Sequence, residues 1–284
     1  MAKGREIKLP LPAADDLFST QEERDEAKRE FIADIPLTEI SDFPDHPYKV
    51  KQDESMLELA ASIREKGVVN PALVRPKPEG GYEMVAGHRR KFASELAGKT
   101  VMPCIVRNLT DDEATIIMVD SNLQREKVLP SEKAFAYKMK LDAMKRQQGF
   151  RSDLTSATLL QRSEKKSSRQ LLAEEVGESH EQIRKYIRLT ELITPILDMV
   201  DEGKIAMRPA VELSYLPKEQ QQALFDTMEL EDCTPSHAQA IKMRKFAEAG
   251  KLNEDVILSI MTEEKPNQVE QFKIPKKRID KYFS

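Results

Sequence analysis

Residues 168–189 read Ser168-Arg169-Gln170-Leu171-Leu172-Ala173-Glu174-Glu175-Val176-Gly177-Glu178-Ser179-His180-Glu181-Gln182-Ile183-Arg184-Lys185-Tyr186-Ile187-Arg188-Leu189. Ala173 is small where two helices must cross closely, and Gly177, four residues on, can take the positive φ of a tight turn. Ser179 is a suitable N-cap for a second helix. Ile183 and Ile187 make an apolar stripe that would pack on Leu172 and Val176. This pattern predicts a helix-turn-helix. The exposed face of the second helix then carries His180, Gln182, Arg184, Lys185 and Arg188, with Ser179 at its entry and Arg169 on the helix before it. The first turn of such a helix meets base edges in the major groove. Arg and Gln have the geometry to read guanine or adenine, while Lys suits phosphate. Arg162, Lys165 and Lys166 add positive charge to the same region. An ordinary helical hairpin with a solvated charged face does not require the small residue, turn glycine, cap and charge to agree, so double-stranded DNA is the expected partner.

The rest of the composition is consistent with that partner. The chain has 284 residues, 39% hydrophobic and 33% charged, with a net charge of −4. That length suggests two or three domains. The charge argues against coating nucleic acid with the whole surface, but a local DNA-binding patch needs only a few cations. No apolar run is long enough to span a bilayer and no signal-peptide core follows Met1, so a cytoplasmic protein with no membrane partner is expected, nucleoid-associated through the DNA partner. Cys104 and Cys233 are isolated, which supports neither a disulfide framework nor a zinc site.

Residues 1–30 read as a flexible polar leader. Between 31 and 125 the pattern is α/β. A helix is predicted from Met56 to Gly67, strands at Ala72–Arg75 and Tyr82–Ala86 joined by a Pro78-Glu79-Gly80-Gly81 turn, a helix from His88 to Leu96, and a strand at Met102–Val106. Residues 126–250 read as helices only, with Ser131–Gln147 followed by a Ser/Thr-rich loop at 149–167. Residues 251–284 read as a C-terminal tail, polar and basic from Lys265 to Ser284. In Met84-Val85-Ala86-Gly87-His88-Arg89-Arg90 a strand passes through a glycine into a helix N-terminus. Backbone N–H groups there favour an anion, and paired arginines add bidentate phosphate binding.

Three further boxes accompany that corner: Gly67-Val68-Val69-Asn70-Pro71 upstream, Asn122-Leu123-Gln124-Arg125 downstream, then the helix-turn-helix. With all four in this order, residues 32–250 resemble the ParB/RepB family of partition proteins. The resemblance implies an α/β ParB N-terminal domain of ParB/sulfiredoxin-like fold followed by an all-α helix-turn-helix domain. It also implies a homodimeric clamp that takes CTP and Mg²⁺, recognises a palindromic centromere-like site, closes around DNA and slides from it. Carried onto this chain, Gly67 and Pro71 would shape the base and ribose side. Gly87, Arg89 and Arg90 would hold the phosphates, His88 and Ser121 would belong to the nucleotide pocket, Asn122 would help bind the nucleotide and the metal, and Arg125 would sit beside the pocket. Lys3, Arg5 and Lys8 of the leader could engage a ParA-type ATPase, as basic N-terminal peptides do in relatives.

Three positions depart from the family pattern. His88 and Ser121 stand where relatives commonly have Glu, so a carboxylate that could organise metal or water is missing. CTP binding with slow or absent hydrolysis is therefore expected, and no catalytic residue is assigned. His180 stands where many relatives have Arg, which alters the DNA sequence read and leaves the groove docking unchanged. A sulfiredoxin-type enzyme would need Cys directly before His88, and the residue is Gly87. A transcriptional anti-silencer would use the same clamp, and a nuclease would need a metal-ligand cluster that the sequence lacks. His46 and His237 read as loop and helix-start residues, and Met139, Met144, Met199 and Met207 as core.

Overall fold

The computed structural model describes residues 31–50, 52–123, 125, 128–154 and 167–263, with only the backbone described for 148–154. The leader, the cations Arg162, Lys165 and Lys166, and the sequence from 264 onward lie outside the described residues. The described chain divides into two compact units. One holds residues up to 123 together with 142–154, and the other holds 125–141 and 167–263.

In the first unit, β1 (Phe31–Pro36), β2 (Ile40–Ser41), β3 (Ala72–Pro76), β4 (Tyr82–Ala86) and β5 (Val101–Val106) form one mixed sheet in the order β1-β5-β3-β4-β2. β3 and β4 make the expected antiparallel hairpin, β3 runs parallel to β5, and β1 lies antiparallel along β5. Strand β1 gave no sequence signal because only Ile35 of its six residues is buried, while Phe31 and Ile32 are 55% and 66% exposed. Ile35, Ile40, Val74, Met84, Met102 and Val106 form the core on the sheet. Helices α1 (Glu54–Lys66) and α2 (His88–Leu96) pack together through Met56, Ala60, Ile63 and Ala93. The 56/60/63 spacing puts three apolar side chains on one helical stripe. Asp53 caps α1 by accepting from the Met56 N–H at 3.0 Å, and Gly67 at φ +73° ends it. Helix α3 (Asp111–Leu123) packs on β4.

Helix α4 (Pro130–Leu154) belongs to both units, its first half to the second unit and the part from Asp142 to the first. It continues past the expected stop at Gln147. Gly149 takes a helical conformation there, at a cost of about 1 kcal/mol relative to Ala, which the neighbouring good helix formers tolerate. The second unit adds α5 (Ser168–Val176), α6 (His180–Leu189), α7 (Thr194–Asp201), α8 (Met207–Leu213), α9 (Lys218–Leu230), α10 (His237–Glu248) and α11 (Glu254–Met261). The sequence reading placed 251 onward in a tail, but α11 buries Ile257, Ile260 and Met261 in the core of this unit. Gln239, itself buried, donates from Nε2 to the Ile260 carbonyl at 2.7 Å while its Oε1 closes a capping box on Ser236. Buried Gln221 does similar work, accepting from Ile193 N–H and donating to the Glu191 and Leu216 carbonyls. Among the described residues no helix is long and apolar enough to cross a membrane.

Candidate functional site

The corner between β4 and α2 turns on Gly87, whose φ of +121° is one that L side chains rarely adopt. A Cβ at this position would lie 2.8 Å from the Ala72 Cβ and 3.3 Å from the Ala72 Cα on β3. The β3 backbone therefore approaches as closely as it does only because the residue is glycine. Gly87 also has no side chain with which to cap α2, so it leaves the first-turn N–H groups at the positive end of the helix dipole without a cap.

Each of the next three side chains ties the corner to a different segment. His88 is buried and its ring lies 3.8 Å from that of His46, at 37°. Arg89 donates from Nη2 to Ser55 Oγ at 2.7 Å, and Ser55 in turn donates to the Asp53 cap of α1. Arg90 donates from Nη1 to the carbonyls of Asn70 and Pro71, both at 2.6 Å. Gly67–Pro71 and Gly87–Arg90 are thus brought together. A guanidinium carries five N–H donors, so Arg90 can hold the segment at 70–71 and still offer donors to an anion. Burial lowers the Arg90 guanidinium from its ordinary value, opposed by Cys104 beside it. Burial pushes the Cys104 thiol up to about 11, with Arg90 pulling the other way. A buried neutral thiol on β5 is a poor nucleophile.

The third box, Asn122 to Arg125, straddles the boundary between the two units. Asn122, at the end of α3, is buried with its Nδ2 donating to the Met118 carbonyl at 2.8 Å and to Ser121 Oγ. Its amide nitrogen is thus committed to its own helix. Arg125 is half-buried and falls in the second unit. Among the described residues no cluster of three His, Cys, Asp or Glu side chains could hold a metal.

The sequence reading missed the partner of His88. His46 donates from Nδ1–H to the Tyr48 carbonyl at 2.9 Å, and the Tyr48 hydroxyl donates to the Val119 carbonyl of α3 at 3.4 Å. A chain of contacts therefore runs from the corner to the last turns of α3. A cavity of about 320 Å³ adjoins it, lined by Asp42, His46, Tyr48, His88, Lys91 and Glu95. Burial alone would raise the Asp42 carboxyl, but the hydrogen bond and charge of Lys91, with His88 and His46 behind it, hold it below its ordinary value.

In the second unit, Gly177 at φ +69° turns the chain between α5 and α6. The Ser179 hydroxyl accepts from the Gln182 N–H at 3.1 Å, as the sequence predicts. Ser179→Ala should cost about 1 kcal/mol, read as a drop in the thermal midpoint of the full chain. Leu172 and Ile183 are fully buried, whereas Val176 and Ile187 are only half-buried and Leu189 takes the deep position. The first half of α4 braces this motif along one stripe. Lys133 pairs with Glu178 at 2.8 Å, the Tyr137 ring meets Tyr186 edge-on, and buried Lys140 pairs with Glu175 at 2.7 Å. His180 and Arg184 are exposed, Gln182 and Lys185 half-exposed, and Arg169 lies 3.5 Å from the His180 ring. Arg188, expected on that face, turns inward. It donates to the hydroxyl and carbonyl of Ser214 at 3.0 and 2.6 Å and stacks 4.1 Å from the Tyr215 ring centre. These contacts tie it to the end of α8.

Comparison with protein families matches residues 21–123 to the ParB N-terminal domain and residues 155–244 to the ParB HTH domain. The nucleoid occlusion protein of Geobacillus thermodenitrificans is 31% identical over 211 residues, covering 72% of this chain and 68% of that protein. The chain belongs to the ParB family. Other ParB relatives include the probable chromosome 1-partitioning protein ParB of Deinococcus radiodurans, 33% identical over 214 residues, and the chromosome-partitioning protein Spo0J of Thermus thermophilus, 35% identical over 188. The matches cover 75% and 66% of this chain, and the chain spans 66% and 61% of those relatives' lengths. Among solved structures, a C-terminally truncated Caulobacter crescentus ParB complexed to the centromeric parS site is 22% identical, with a TM-score of 0.41 over 81% of this chain and 98% of that one. The same protein complexed with CTP-γ-S is 27% identical, with a TM-score of 0.32 over 70% and 99%. Within the ParB family, then, this chain carries the N-terminal domain and the helix-turn-helix domain.

Proposed function

We propose that this ParB-family chain acts in DNA partition as a homodimeric clamp that binds a specific duplex site through α6 and closes when CTP, with Mg²⁺, occupies the Gly87 corner. The observation that carries this reading is the convergence at one glycine of an uncapped helix N-terminus, two arginines and the Gly67–Pro71 segment, in a chain that also has a DNA-binding motif. The residues present fit a triphosphate. Gly87 lets the backbone come close, the α2 N–H groups and Arg89 meet phosphate oxygens, and Arg90 links them to the carbonyls of 70 and 71. Through Arg90, occupancy of the corner would be felt on the segment that carries Val69, a side chain 76% exposed. A bound magnesium ion would neutralise phosphate charge, and the Asn122 amide oxygen is the protein group proposed to reach it. His88 and Ser121 supply no carboxylate, so the corner should hold nucleotide with slow or absent turnover.

On the DNA side, Gln182 and Arg184 are proposed to read bases, Lys185 and Arg169 to contact phosphate, and His180 to alter the site read. Gln182→Ala or Arg184→Ala should each weaken binding to a selected inverted repeat by about 1–3 kcal/mol. Lys185→Ala should instead lower the slope of log K against log salt by about 1. Titrations over a range of salt, with selected and scrambled duplexes, separate the two.

The clamp is tested on a duplex that carries the selected site and is blocked at both ends. With CTP, several proteins should accumulate per duplex, resist a high-salt wash, and leave when one end is cut. Loading that is the same with and without CTP, or that ignores the blocked ends, would overturn the clamp. A ParA-type ATPase remains the proposed partner of residues 1–30, to be checked by pull-down with and without that leader.

A further inference from the structure

On the second unit, α7 and α9 enclose a groove of about 590 Å³, with no residue of α5 or α6 in its lining. Met199, Phe225 and Met228 line it, and Asp198, Glu202, Glu229 and Asp232 add four carboxylates against one ammonium, Lys204. Lys204 is held to Glu202 at 2.7 Å. An apolar floor with an anionic rim repels DNA phosphate and suits a cationic peptide with apolar side chains. The chain's own sequence supplies such a peptide. Residues 272–283 read Phe272-Lys273-Ile274-Pro275-Lys276-Lys277-Arg278-Ile279-Asp280-Lys281-Tyr282-Phe283, in which five cations stand against one carboxylate and are interleaved with Phe, Ile and Tyr.

We propose that this groove is an intramolecular docking site for the chain's own basic segment, residues 273–283. Reach is sufficient. The described chain leaves the unit at residue 263, just after α11, and α11 packs on α9, a helix that lines the groove. The intervening residues 264–272 span up to about 30 Å when extended, against a radius of gyration of about 14 Å for a unit of this size. A short tether gives an effective concentration of millimolar order, so a segment with an intrinsic Kd of about 0.1 mM stays docked about nine tenths of the time. Docking would keep five cations off the DNA-binding surface until something displaces them.

Cys233 lies in the groove wall and is half-exposed, whereas Cys104 is fully buried, so one thiol reports on occupancy. In the full chain at low salt, the uncharged reagent N-ethylmaleimide should label Cys233 about tenfold faster in a Lys276→Glu, Lys277→Glu, Arg278→Glu variant than in the wild type. The difference should vanish at about 1 M salt, where the screening length is about 3 Å. In a separate Ile279→Cys chain, oxidised glutathione should join that cysteine to Cys233 within one molecule, as peptide mapping reads directly. Equal labelling of wild type and tail variant at low salt would overturn the proposal. So would a 233–279 disulfide found only between chains, which would assign the groove to a second copy.

Discussion

Gly87→Val is expected to destabilise the first unit by about 3–5 kcal/mol and to abolish nucleotide binding in whatever protein remains folded. Two effects combine. A φ of +121° is strained for any L side chain, at about 1–3 kcal/mol. A Cβ 2.8 Å from that of Ala72 must also push β3 away, and overpacking of this kind costs about 1–3 kcal/mol. Urea unfolding of the full chain followed by circular dichroism should show an early transition for the first unit, with the helical unit unchanged. Gly87→Ala should show a smaller loss, and Ala72→Gly in the same chain should recover part of it, because the nearest clashing atom is then gone. If the double variant is no better than Gly87→Ala alone, close approach of β3 is not what the glycine serves.

Arg75→Met should cost about 3–5 kcal/mol in the same unit, for an electrostatic reason. Arg75 donates from Nε to Glu83 at 2.6 Å and from Nη1 to Asp111 at 2.6 Å, joining β3 to β4 and to the start of α3. Burial alone would lower its guanidinium, but Asp111 and Glu83 hold it above its ordinary value. The Glu83 side chain is only 7% exposed and Asp111 90%, so losing the guanidinium strands Glu83 and hardly affects Asp111. A buried carboxylate deprived of its cation is the costly outcome, and the net worth of the intact pair is much smaller. Adding Glu83→Gln to Arg75→Met should therefore recover most of the loss. A double-mutant cycle with no coupling between 75 and 83 would contradict this.

Local patterns in the sequence carried much of the architecture. The hairpin of β3 and β4, the stop at Gly67, the turn at Gly177 and the cap at Ser179 each depend on residues a few positions apart, which spacing and backbone preference reveal. The features that escaped depend on distant partners. Strand β1 buries one residue of six, so alternation has nothing to show. His46 and His88 are 42 positions apart and meet only because the 42–50 loop folds over α2. The same is true of Arg188, whose charge suggests DNA until Ser214 and Tyr215 arrive from the end of α8. The tight contact of Gly87 with Ala72 needs the hairpin register, and the register shift between Leu73 and Val74 cannot be read from the strand itself. At the candidate site, Arg90 joins the Gly87–Arg90 box to the carbonyls of Asn70 and Pro71. The Asn122 amide nitrogen bonds back to its own helix, and Arg125 belongs to the other unit.

The central claim is that the Gly87 corner is a cytidine triphosphate site. Equilibrium binding of labelled CTP to the full chain, with magnesium and a selected inverted-repeat duplex present, tests it most directly. CTP should bind at least about tenfold more tightly than ATP, GTP or UTP, a difference of about 1.4 kcal/mol, and Arg89→Ala should remove the binding without unfolding the chain. Absence of CTP binding under these conditions, or binding that Arg89→Ala leaves intact, would contradict it.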